Sequence, residues 1–400
     1  MVRRKLLSIL ILTMTLILSL TGCWNSREID TLAITVCTGI DKAKDGYMLT
    51  QQVIDPKSVT AEGGSSESPV IIYSDVGKDL FSIKRKLTNQ SPRKIYNSHI
   101  RIVVLGEEIA RSGVKDIIDF FARGHEYRTD FYFVIAKETT ARNLLSVLTP
   151  LEAIPGIELH ESLDAAQESW TPVKSIKILE LINDINAEGK NPVVTGLELG
   201  DGFTNVRSIE DLGKSIQMKN LKYNGLGAFK GDKLVGWMNE EESKGYNYIS
   251  GNVDSTVGYV YYNKSTKISW EVLKATSDVK VSIVKGEPVI DVTIKIVQDV
   301  GTVEGEFDVT KIENREIINN LTQQYVTGLC HNSIKRAQND FKADIFGFGE
   351  VIHRKHPKVW NEVKHDWDNY FQKLNVNVTV EVKTKNLGQI LKPMFLKEKD

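Results

Sequence analysis

The sequence predicts a chain of α+β to mixed α/β class, built from more than one domain behind a short apolar leader. Three observations predict it. First, apolar runs of strand length alternate with amphipathic helical stretches from Ala33 to Ala187. Second, Asn191–Gly202 is rich in Gly, Pro and short polar residues, and hairpin-like β runs follow it. Third, the remainder carries long helical spacing and closes on one strictly alternating strand. The 400 residues are enough for two or three domains with cores of their own.

The first element is the leader. Arg3, Arg4 and Lys5 precede an uncharged, mostly apolar run from Leu6 to Leu20. That run is short for a span, which needs about 20 residues. Leu20-Thr21-Gly22-Cys23 then places a small residue directly before a cysteine, as in a bacterial lipobox. Cleavage at Gly22-Cys23 would leave Cys23 first, with S-diacylglycerol on its sulfur and an N-acyl group on its amine. Two or more chains give stable attachment where one is marginal, at about 0.8 kcal/mol per buried methylene. The competing reading of the same residues is an uncleaved signal anchor.

The body follows in order. Ala33–Gly39 and Met48–Ile54 are expected strands, joined by a turn over Asp41–Gly46. The 61–69 segment has loop composition, and Val70–Tyr73 resumes an extended pattern. Leu80, Phe81, Ile83 and Leu87 predict a helix over Lys78–Thr88. Ile100–Leu105 and Phe131–Ala136 read as buried strands, with a helix over Glu107–Arg123 that Gly113 breaks. Thr139 or Thr140 is placed to cap the helix holding Leu144, Leu145 and Leu148. Helices are expected near Ile157–Gln167 and Val173–Ala187. Gly225–Met238 reads as a hairpin with a Gly231-Asp232 turn. Val257–Tyr262, Ile268–Ala275, Val279–Val284 and Val289–Val297 continue the β pattern. A long helix is predicted from about Glu313, carrying Ile317, Leu321, Tyr325, Leu329, Ala337 and Phe341, and another from Pro357 to Phe371, with Pro357 in its first turn. Val376, Val378, Val380 and Val382 then mark a half-buried strand.

Charged residues make up 26% of the chain and the formal net charge is -1, which argues against a general nucleic-acid binder. Of three cysteines, Cys23 is taken by lipid in this reading. Cys37 and Cys330 are expected as separate buried thiols, with a disulfide between them as the alternative. No Cys/His spacing fits a structural zinc site, and no cofactor is expected.

Several of these segments resemble the Ger(x)C (GerAC-like) lipoprotein family, the C subunits of spore germinant receptors. The likeness starts at Gly22-Cys23-Trp24-Asn25-Ser26-Arg27-Glu28-Ile29, where the family usually has Asp in place of Asn25. It runs through His99–Glu107 and the helix to Phe121, and through Gly225–Gly236. It is most specific over Asp344–Pro357, with Trp360 and Trp367. The resemblance implies a multidomain fold with mixed β-sheets flanked by helices. It divides the chain into a leader (1–22), an N-terminal domain (23–200), a β-rich segment (201–276) packed with or part of the C-terminal domain, and that domain (277–400). It implies a non-enzymatic subunit, lipid-anchored in the spore inner membrane, acting with integral-membrane A and B subunits to answer small nutrients. Contact with the nutrient itself could be indirect.

Candidate sites beyond Cys23 are few. Gly347, Gly349, His353, Arg354 and His356 form a candidate partner or ligand surface. Gly347 and Gly349 permit close backbone approach, while their neighbouring phenylalanines also suit a core plug. His353 and His356 share a helix face, but Arg354 and Lys355 between them disfavour a bound cation, so no metal is expected. Gly124-His125-Glu126-Tyr127-Arg128 only mimics a zincin motif, because position 129 is Thr. A lipid-anchored solute-binding protein feeding a transporter is the alternative reading. It would need two similar lobes, which the unlike textures on either side of Asn191–Gly202 oppose. A cell-wall hydrolase lacks a credible catalytic set.

Overall fold

A computed structural model describes residues 2–19, 31–55, 68–149, 151–200 and 221–387. Cys23, Gly22 and the loop over 61–67 lie outside these residues. Helix α1 (Val2–Ser19) exposes Leu6, Leu7, Ile9, Leu10, Ile11 and Met14. Among the described residues, no helix is long and apolar enough to cross a membrane.

Two mixed sheets organise the body, each flanked by helices. The first contains β1 (Leu32–Ala43), β2 (Gly46–Ile54), β3 (Val70–Gly77), β4 (Lys94–Tyr96), β5 (Ile102–Gly106), β6 (Tyr132–Ala136), β7 (Val193–Leu199), β8 (Leu221–Lys230) and β9 (Lys233–Met238). Its order is β3-β2-β1-β5-β6-β7-β8-β9, with β4 paired to the start of β1. β4, β1, β5, β6 and β7 pair in parallel, and β2, β3, β8 and β9 pair antiparallel. The parallel strands are buried on both faces, so β5 and β6 read as unbroken apolar runs.

Helices cover both faces of this sheet. On one lie α2 (Leu80–Leu87), α3 (Glu107–Ser112), α4 (Lys115–Arg123) and α7 (Ile178–Asn186). On the other lie α5 (Ala141–Leu145) and α6 (Pro155–Ser169). Gly113, at φ 126°, separates α3 from α4 as expected. Thr140, not Thr139, caps α5 by accepting from Asn143 N at 3.1 Å. The helix expected over Val173–Ala187 begins only at Ile178, and its first residues run extended beside β6 and β7.

The second sheet has the order β10-β11-β12-β13, from β10 (Thr256–Asn263), β11 (Thr266–Val284), β12 (Glu287–Glu304) and β13 (Asn375–Thr384). The β12–β13 pair is parallel. The two runs Ile268–Ala275 and Val279–Val284 are one long strand, held through the polar Thr276-Ser277-Asp278 stretch by its ladder to β12. Helix α8 (Glu240–Ser250) was not legible in the pattern. It packs with α9 (Ile312–Arg336), α10 (Phe348–Lys355), α11 (Pro357–Val363) and α12 (Trp367–Phe371). The long helix ends in a π-turn over Ala337–Phe341, and the expected Pro357–Phe371 helix is interrupted by a 3-10 turn at Lys364–Asp366. Val193, Leu226, Ala228 and Met238 of the first sheet share the core of the second. Cys37 and Cys330 are free, buried in different clusters, and burial pushes both thiols far up.

Candidate functional site

The Asp344–Gly349 corner joins the two sheets. It follows from local chemistry: Gly347 (φ 76°) takes the left-handed conformation just before α10, which a side chain resists. The buried Asp344 carboxylate accepts from Phe346 N at 3.1 Å, Gly347 N at 2.9 Å and Gly349 N at 2.8 Å. Burial pushes its carboxyl up to about 7, against the pull of those donors. Phe348 is buried beside Trp360 and Trp367.

The corner receives a loop from the first sheet. Asn191 N donates to Asp344 O at 2.7 Å. A Cβ on Gly349 would lie 2.6 Å from Gly189 Cα and 2.8 Å from Trp367 Cε2. Gly349 therefore permits backbone-to-backbone contact across the joint. Lys230 adds an ion pair to Asp368 at 2.8 Å.

The structure spreads the remaining candidates. His353 stacks on Trp360, with centroids 5.6 Å apart and planes at 21°. His356 sits at the break between α10 and α11. Arg354 is exposed and lines a cavity of about 400 Å³ with Lys174, Lys190 and Glu180. Lys174 pairs with Glu180 at 2.6 Å and Lys190 with Asp184 at 2.6 Å, so those cations are already matched. Among the described residues, no group of three or more His, Cys, Asp or Glu is placed to hold a metal ion.

A second site went unread in the sequence. A cavity of about 330 Å³ lies between α2, β4 and the end of α4. Phe81, Phe120 and Tyr127 form its aromatic wall, and Lys84, Arg85, Lys94 and Arg123 its basic rim. Glu126 accepts from Lys84 Nζ at 2.9 Å and Lys94 Nζ at 3.2 Å. Burial works against the charge of Glu126, and the two ammoniums more than offset it, holding the carboxyl below its usual range. The available signal was local charge: residues 78–101 hold seven Lys and Arg against one acid, Asp79, a net +6 in a chain of net -1.

Comparison with known proteins places this architecture. Residues 25–199 match the model described as "Spore germination protein N-terminal domain", and residues 224–388 that described as "Spore germination B3/ GerAC like, C-terminal". Spore germination protein KC of Bacillus subtilis (strain 168) is 28% identical over 100% of both chains. Spore germination protein B3 of the same organism is 24% identical over 94% of this chain and 96% of its own. The crystal structure of the GerBC protein matches with a TM-score of 0.58 at 20% identity, covering 87% of this chain and 97% of that one, and so shares the fold. Two models of one family, matched in order along the chain, and full-length relatives lead to one conclusion: the chain belongs to the GerAC-like family of spore germination proteins.

Proposed function

We propose that this protein is the lipid-anchored C subunit of a nutrient germinant receptor, moored by Cys23 to the outer face of the spore inner membrane and bound to integral-membrane A and B subunits. The observation that carries this reading is the end-to-end match to spore germination proteins. The basic start, apolar run and Gly22-Cys23 step support the anchor. The exposed apolar side chains of α1 suit a leader that enters hydrocarbon. Tethering raises the local concentration of the folded body near membrane partners, so weak contacts suffice to hold a complex.

Cys23→Ala tests it. The variant should lose membrane retention and the germination response, while the body keeps its far-UV circular dichroism. Mass spectrometry of the processed wild-type terminus should find an acylated Cys23. Normal germination of the variant at ordinary expression would overturn the anchoring link.

A further inference from the structure

The cavity between α2, β4 and α4 lies at the end of the body from which the tether leaves. Leu32, the first residue of β1, pairs in register with Lys94 of β4, and Lys94 lines the cavity. Eight residues lie between Cys23 and Leu32, so the nine chain steps reach at most about 30 Å. Any bilayer holding Cys23 is therefore within that distance of this edge of the sheet. The edge combines exposed aromatic and cationic side chains. Phe81 is 58% exposed, which costs free energy in water, and Arg85 lies over its ring at 5.3 Å. Lys84 lies 4.8 Å from the Tyr127 centroid, so aromatic faces and cations alternate along the rim. Glu126 is the sole carboxylate in the lining, and two lysines already share it. Arg123 pairs with Asp119 outside the lining at 2.7 Å, so the four Lys and Arg of the rim meet two carboxylates and keep a positive excess beside an apolar wall. An interfacial lipid offers the complement, with phosphate for the cations and glycerol and upper acyl carbons for the rings.

We propose that this cavity seats an anionic phospholipid headgroup, and that its basic, aromatic rim is the face the tethered body turns to the bilayer. The proposal rests on the Cys23 anchor for orientation. The charge of the face acts in addition to the anchor, with a strength that falls as salt rises. It fixes how the body stands on the membrane, and so which surfaces are left for partners.

The test uses the full lipidated chain in vesicles of phosphatidylcholine, with or without about one-third phosphatidylglycerol. An environment-sensitive fluorophore is placed through Thr88→Cys at the cavity, or through Lys264→Cys at the β10–β11 turn as a control. Nitroxide-headgroup lipid is the quencher. The Thr88 label should be quenched at least about twofold more than the Lys264 label, only with phosphatidylglycerol present, and the excess should vanish in high salt. Arg85→Glu with Arg123→Glu should abolish the excess, and Arg85→Lys with Arg123→Lys should keep it. Equal quenching at the two labels, or an excess untouched by charge reversal, overturns the proposal. A saturable response of the Thr88 label to glycerol 3-phosphate, with no vesicle response, gives the cavity to a soluble anion and also overturns it. Failure of the anchor reads out separately, as a chain that does not float with phosphatidylcholine alone. Phosphatidylglycerol vesicles should still recruit that chain by charge, and if they do not, the headgroup seat is lost as well.

Discussion

Asp344 carries the strongest residue-scale consequence. Its side chain is buried and its oxygens accept from backbone N–H groups on three residues of the corner. Its carboxyl lies at about 7 in the folded chain, with burial as the leading cause. In an unfolded chain it returns to about 3.9. Between those values the native state holds the extra proton, so this group's contribution to stability is full below about pH 4 and is lost as pH rises toward 7. Asp344→Asn should remove that dependence. The stability gap between wild type and variant, taken from urea midpoints, should shrink from about pH 5 to about pH 8. A gap that stays constant over the same range would mean the carboxylate is ionised throughout and held by its donors.

At the scale of elements, α8 shows where sequence patterning stops. Its start carries a full capping box: Glu242 N donates to Asn239 Oδ1 at 2.8 Å, and Asn239 N to Glu242 Oε2 at 2.9 Å. Asn239→Ala should cost about 1 kcal/mol, read as a lower urea midpoint with an unchanged slope. The helix itself is buried all round from Ser243 to Ile249, with the polar Ser243, Lys244 and Asn247 among the buried residues, so no apolar helical period marks it. Gly245 looks like a helix breaker, yet a Cβ there would lie 2.2 Å from Leu329 O, so it is the contact that brings α8 onto α9. In the first sheet, helices were legible because each buries one regular set of positions, as Ile83 and Leu87 do in α2, and the central strands because they are unbroken apolar runs, as β5 and β6 are. The corner was legible only as a motif. Gly349 stands out in the sequence, but its reason, Gly189, is far away along the chain. The basic cavity was hidden in the same way: charge over 78–101 is visible, while Glu126 and Tyr127 reach it from another crossover.

The whole molecule is held by a joint rather than by two independent cores. Val193, Leu226, Ala228 and Met238 belong to the first sheet and pack in the cluster of the second. A Cβ on Gly236 would meet Phe341 Cε1 at 2.6 Å, so that phenylalanine fills the space a side chain would take. At the corner, Gly189 and Gly349 let two backbones touch beside Trp360 and Trp367. A shift at one sheet passes to the other only if this joint is stiff. Gly349→Ala tests the stiffness, because the added methyl must displace either the Gly189 loop or Trp367. Overpacking of this kind costs about 1–3 kcal/mol. In wild type, the amides of Asn191 and Gly349 should exchange with solvent only through openings close to global unfolding. In the variant they should exchange through a cheaper local opening, while Val103–Leu105 in β5 keep their protection. Equal loss of protection at all these amides would show the two sheets unfolding as one unit, with the corner following the fold instead of holding it together.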